Sequence, residues 1–216
     1  MLETNLIDYY RRRAAEYERI FARPERQADL ARLRSFLAAE FRSHHVLEIS
    51  CGTGRWTEAI APVACSVTAC DINDEVLEIA RAKDWGGAPV EFRAADSFAL
   101  PDFGRRHSAA FAGFWWSHVP RRNLAGFLSG LHAHVAPGAK VLFIDNRYIE
   151  GSSTPISRTD DAGDSFQQRR LEDGSVHEVL KNFPSPDELL QAVAGCATSP
   201  EVSLTDYFWA LRYEAR

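Results

Sequence analysis

His45-Val-Leu-Glu-Ile-Ser-Cys-Gly-Thr-Gly-Arg-Trp-Thr-Glu-Ala-Ile-Ala61 is the stretch around which the rest of the chain is arranged. Val46, Leu47 and Ile49 form an apolar run that reads as a buried parallel strand. Gly52 and Gly54 permit a tight turn, and helical spacing resumes over residues 55–61. A strand, a glycine turn and a helix N-terminus let a backbone approach a ligand closely. Two carboxylates mark strand ends, Glu48 on this strand and Asp71 on the next.

Downstream, residues 65–72 read as a second strand. Asn73 is placed to cap a helix over 74–83, with Asp74 and Glu75 in its acidic first turn. Residues 90–94 give a third strand running into Ala95-Asp96-Ser97, and the apolar run 109–116 gives a fourth. A helix over 122–135 and a strand over 140–145 follow. Strands alternating with helices over 45–145 predict an α/β fold, a doubly wound, mostly parallel sheet with helices on both faces. Right-handed crossovers place the strand C-termini on one edge, where ligands bind. Glu48, Asp71, Asp96 and residues 116–118 fall there.

Upstream, residues 5–22 predict an amphipathic helix with Leu6, Tyr10, Ala14, Tyr17 and Phe21 on one stripe. A second helix follows Pro24, with Leu30, Leu33, Leu37 and Phe41 facing inward. Residues 150–183 interrupt the alternation. Two strand-like runs, 166–171 and 176–183, join at Asp173-Gly174, a hairpin signal. Ser185 caps a helix to about 194, and 201–214 supplies the last one or two strands, antiparallel. The expectation is one domain over 1–216: a helical lid (1–43), a ligand-binding core (44–149), an inserted hairpin (150–183) and a C-terminal helix with strands (184–216).

The chain has 216 residues and a formal net charge of −5, from 25 Lys+Arg against 30 Asp+Glu. That balance gives no electrostatic reason to expect nucleic acid as a partner. The basic run Arg11-Arg12-Arg13 reads as a solvated helix face. No apolar run approaches the length of a membrane span, and no signal-peptide pattern opens the chain, so a cytoplasmic location without membrane contact is expected. Cys51, Cys65, Cys70 and Cys196 have no metal-type spacing and read as reduced core thiols.

A glycine turn after the first strand suits more than one nucleotide-like ligand. The dinucleotide fingerprint GxGxxG is incomplete, because position 57 is Thr. Glu48-Ile49-Ser50-Cys51-Gly52-Thr53-Gly54 resembles instead the first motif of the class I S-adenosylmethionine-dependent methyltransferases, an acidic residue followed by GxGxG. Asp71 resembles the second motif, the acid that receives the ribose hydroxyls, and Asp96-Ser97 the third, which reads the adenine edge. Residues 111–116 lie where the fourth motif meets the methionine portion. Ser50 departs from the first glycine of the motif, and is compatible with it if its φ stays negative.

The resemblance implies S-adenosylmethionine as cofactor and S-adenosylhomocysteine as product. The expected cofactor-binding residues are Tyr17, Glu48, Ser50, Gly52, Gly54, Asp71, Ile72, Asp96, Ser97 and Phe114. Glu48 is expected to help place the ligand's ammonium, directly or through water. Trp56 and Trp115 are expected in the core. His118, after the fourth strand, is the candidate general base. Tyr9, Tyr10, His118, Asp145, Arg147 and Tyr148 are candidates for holding substrate. His177 lies in the hairpin beside Arg158, Arg169, Arg170 and Lys181, cations that could hold an anionic substrate if the hairpin folds over the crevice. No acidic cluster follows strands four and five, so no metal is expected. The function implied is methyl transfer to an oxygen or nitrogen of a small molecule. A non-catalytic cofactor-binding protein, a protein methyltransferase and a nicotinamide-dependent oxidoreductase are the alternatives; the sequence does not specify an oligomeric state.

Overall fold

The computed structural model describes residues 4–14, 18 and 21–216. Five parallel strands, β1 (His45–Ile49), β2 (Ser66–Asp71), β3 (Val90–Ala94), β4 (His107–Gly113) and β5 (Val135–Asn146), form most of one sheet. Two further strands, β9 (Ala197–Leu204) and β10 (Phe208–Ala215), complete it by antiparallel pairing, in the order β3-β2-β1-β4-β5-β10-β9. The strand order reverses between β1 and β4, which opens a crevice at their C-terminal ends. Helices α1 (Thr4–Arg12), α2 (Gln27–Glu40), α3 (Thr57–Ile60), α4 (Asp74–Arg81), α5 (Leu124–His132) and α6 (Pro186–Val193) accompany the strands.

The sheet separates two apolar cores. Val46, Leu47 and Ile49 are fully buried, as a central parallel strand requires. On α2 the predicted stripe is buried: Leu30, Leu33 and Leu37 on the helix and Phe41 at its end. Ser185 caps α6 in a reciprocal capping box with Glu188. The predicted hairpin is β7 (Ser165–Arg170) with β8 (Val176–Leu180), and a short β6 (Arg158–Thr159) makes it a three-stranded antiparallel sheet.

Four expectations need correction. The helix expected over 5–22 ends at Arg12, and Phe21 lies in a separate 3₁₀ turn. Arg11 and Arg12 do form a solvated face, paired with Asp8, but Arg13 turns inward to donate to the Tyr9 hydroxyl at 2.9 Å. Cys65 is exposed rather than in the core. Asn73 occupies the N-cap of α4 without a side-chain cap; its backbone N–H donates to Asp71 Oδ1 at 3.0 Å instead. Among the described residues, no helix is long and apolar enough to cross a membrane.

Candidate functional site

The crevice at the switch point is a cleft with about 600 Å3 of open space, solvent included. Ser50 and Gly52 from the β1 turn, Asp71 and Ile72 from the end of β2, Ser97 from the loop after β3 and Phe114 after β4 all line it. These six are expected cofactor residues brought together from four separate strand ends. Leu6, Ile7 and Tyr10 of α1 close one side.

Asp71 is held by two backbone donors, Gly52 N–H to Oδ2 and Asn73 N–H to Oδ1, each at 3.0 Å. Burial raises its pKa and those donors lower it, with burial the larger effect. Each oxygen keeps a second lone pair, so the carboxylate can accept two ribose hydroxyls with charge-assisted bonds. Two buried polar atoms of cleft-lining residues, Ser97 Oγ and Trp115 Nε1, have no hydrogen-bond partner among the described residues. Buried polar groups without partners are uncommon, and here they fit a polar heterocycle such as adenine. Trp115 thus belongs to both core and cleft, a role its apolar neighbours concealed.

Ser50 has φ of 52°, in the left-handed region. The motif's glycine suits this conformation, and the condition of a negative φ is not met. Ser50→Gly should therefore raise stability by about 0.5–1 kcal/mol, strain relief exceeding the extra entropy of the unfolded chain. A urea unfolding midpoint shifted downward would show that the serine side chain stabilises more than its backbone strain costs.

Among the described candidates, Glu48, Gly54, Asp96, Asp145, Arg147 and Tyr148 do not line the cleft. Tyr17 is outside the described residues. Glu48 is 1% exposed, its Oε2 accepting from Thr57 Oγ1 at 2.6 Å, and burial pushes its pKa up to about 8. The side chain is sequestered behind the turn and does not line the cleft. Gly54 has φ of 77°, and a Cβ there would meet the Trp85 ring at 2.9 Å, so it serves turn packing. Asp96 Oδ1 accepts from Phe98 N–H at 2.9 Å, as a turn former does. Arg147 donates to the Thr205 and Asp206 carbonyls, and Tyr148 is 40% exposed with its ring against Phe183. Asp145 is fully buried and bonded to Lys181 Nζ at 2.9 Å.

His118 is 4% exposed and stands between the cleft and a second chamber. Its Nδ1 lies 2.7 Å from the Leu180 carbonyl, which can only accept, so Nδ1 carries the proton. Nε2 is then the acceptor, facing the Tyr10 hydroxyl at 2.7 Å. Burial and the Lys181 ammonium push the imidazole pKa down to about 3, so the ring is neutral at ordinary pH.

The second chamber has an open volume of about 710 Å3. Tyr10, Phe114 and His118 line both spaces. Tyr9, Arg13, Arg23, Arg26, Arg169 and Lys181 line the second alone. Alternation along β7 explains why Gln167 and Arg169 face the chamber. Arg170 instead bonds the Gly174 carbonyl, and Arg158 pairs with Glu178. Arg23 and Arg26, from the turn before α2, escaped sequence reading; only the tertiary fold brings them here.

Residues 46–138 match a family model described as a methyltransferase domain. A solved structure described as the DhpI-SAH complex is 31% identical, with a TM-score of 0.79 over 98% of this chain and 95% of its own. A second, the DhpI-SAM-HEP complex, is also 31% identical, with a TM-score of 0.78 over 99% of each chain. The mitochondrial ubiquinone biosynthesis O-methyltransferase of Arabidopsis thaliana is 29% identical over 70% of this chain and 46% of its own length. O-methyltransferase cnsE of Penicillium expansum is 24% identical over 66% of this chain and 57% of its own. The chain spans about half the length of these two curated relatives.

Proposed function

The chain belongs to the class I S-adenosylmethionine-dependent methyltransferases, and from that premise we propose that it methylates a small molecule on oxygen or nitrogen. The observation that carries this reading is the pair of adjoining spaces. One is a cleft with a ribose-type carboxylate and orphaned polar atoms, the other a chamber that meets it at His118. A second chamber that shares Tyr10, Phe114 and His118 with the cleft favours turnover over cofactor binding alone. Both curated relatives are O-methyltransferases by name, which favours oxygen as the acceptor.

In the bound state, Asp71 would accept the ribose hydroxyls, Gly52 would bring its backbone near the ligand, and Ser97 and Trp115 would meet the adenine. S-adenosylmethionine supplies an electrophilic methyl on a sulfonium, and the S–C electron pair leaves with sulfur. The protein's part is alignment and exclusion of water, with Leu6, Ile7 and Phe114 as apolar walls. A substrate hydroxyl replacing the Tyr10 hydroxyl at His118 Nε2 would give its proton to that nitrogen as the O–CH₃ bond forms. Asp145 favours the charged imidazole that results.

His118→Gln should lower turnover by about 10²–10⁴-fold while leaving S-adenosylhomocysteine affinity nearly unchanged. The same variant tests the buried neutral ring. Unfolded histidine takes a proton near pH 6.5 whereas folded His118 resists it, so its stability contribution is full above that pH and declines as pH falls. The melting temperature of His118→Gln should therefore fall less between pH 7.5 and 5 than that of the wild type. Unaltered turnover would remove His118 from the chemistry.

A further inference from the structure

The chain carries more acid than base, 30 against 25, yet among the described residues five cations and no Asp or Glu line the second chamber. Lys181 is neutralised by Asp145, and Arg23 has Glu25 at 3.8 Å. Arg26 and Arg169 have no carboxylate within ion-pair distance among the described residues. Arg26 donates to Asn146 Oδ1 at 3.3 Å and Ser152 Oγ at 3.0 Å, and its buried Nε has no hydrogen-bond partner among the described residues. Arg169 donates from Nε and Nη2 to Gln167 Oε1 at 3.1 and 2.5 Å. Gln167, fully buried, is turned to receive it by its own bond to the Thr154 carbonyl. Burial, then the neighbouring Arg23, pushes the Arg26 pKa down, and at Arg169 burial outweighs the opposing pull of Tyr10 and Tyr9. Half-buried guanidiniums crowded without acids are costly unless an anion meets them.

Building on the methyltransferase reading, we propose that the acceptor substrate carries a compact oxoanion, phosphoryl-type or carboxylate, gripped by Arg26 and Arg169 with Arg13 and Arg23 flanking. Guanidinium forks match such oxygens in paired, charge-assisted bonds. The shared wall of Tyr10, Phe114 and His118 then directs the other end of the molecule toward the cleft. Anion binding here also explains why an acidic protein concentrates arginines from the residue after α1, the turn before α2 and the inserted hairpin at one place.

The test is calorimetric titration of the full chain, saturated with S-adenosylhomocysteine, with inorganic phosphate, malonate and uncharged glycerol. Phosphate or malonate should bind and glycerol should not. Arg26→Gln and Arg169→Gln should each weaken anion binding by about tenfold or more, with Arg169→Lys between. S-adenosylhomocysteine affinity should stay within about threefold of wild type, which also reports that each variant is folded. The more exposed Arg23→Gln gives the same comparison if either fails to fold. Stronger phosphate binding assigns a phosphoryl-type head, and stronger malonate binding a carboxylate. Anion affinity equal in wild type and variants, or absent at S-adenosylhomocysteine saturation, overturns the proposal. A wild type that binds no S-adenosylhomocysteine contradicts the methyltransferase reading, and this proposal with it.

Discussion

Asp145→Ala should destabilise the protein by about 3–5 kcal/mol, the usual consequence of stranding a buried charge. Asp145 is fully buried at the end of β5 and accepts Lys181 Nζ at 2.9 Å, Ser117 N–H at 3.0 Å and Asn146 N–H at 2.7 Å. Lys181 also donates to Ser117 Oγ at 2.5 Å. The carboxylate thus joins the main sheet, the turn that bears His118 and the inserted hairpin. Burial alone would raise its pKa, but Lys181 and His118 hold it below the usual carboxylate value. Removing it leaves an ammonium and two backbone donors without their acceptor. Lys181→Met should also be strongly destabilising, whereas Asp145→Ala combined with Lys181→Met should cost much less than the sum of the two. Chemical denaturation of the four proteins completes a double-mutant cycle. Additive losses would mean that the pair is not coupled and that the hairpin is held elsewhere.

Asp71→Ala should weaken S-adenosylmethionine binding by about 1–3 kcal/mol, roughly 5- to 150-fold. Two effects act together. The ribose loses its charge-assisted acceptor, and the Gly52 and Asn73 N–H groups lose the carboxylate that orients the turn. Asp71→Asn keeps an acceptor oxygen and should lose less. Unchanged affinity in both variants would refute the ribose assignment.

The fold was legible where one physical cause dominated. Burial of β1 on both faces demands a continuous apolar run, and Val46, Leu47 and Ile49 display it. Asp173-Gly174 marked the turn between β7 and β8 because few residue pairs suit that geometry. The expected residues at the cleft, Ser50, Gly52, Asp71, Ile72, Ser97 and Phe114, follow from strand ends sharing one edge. What sequence hid was competition for each polar group. Glu48 and Asp96 have acidic side chains at the right edge, but Thr57 and the Phe98 N–H engage them. Ser50 carries a left-handed φ that its residue type disfavours. Arg13, Arg23, Arg26 and Arg169 come from distant segments, and no local pattern announces that they share a chamber.

The central claim is that the cleft between β1 and β4 takes S-adenosylmethionine. Calorimetric titration of the protein with S-adenosylmethionine, S-adenosylhomocysteine and NAD in parallel tests it most directly. The account predicts saturable binding of the first two at one site per chain and none of NAD. Binding of NAD without either of the others would contradict it.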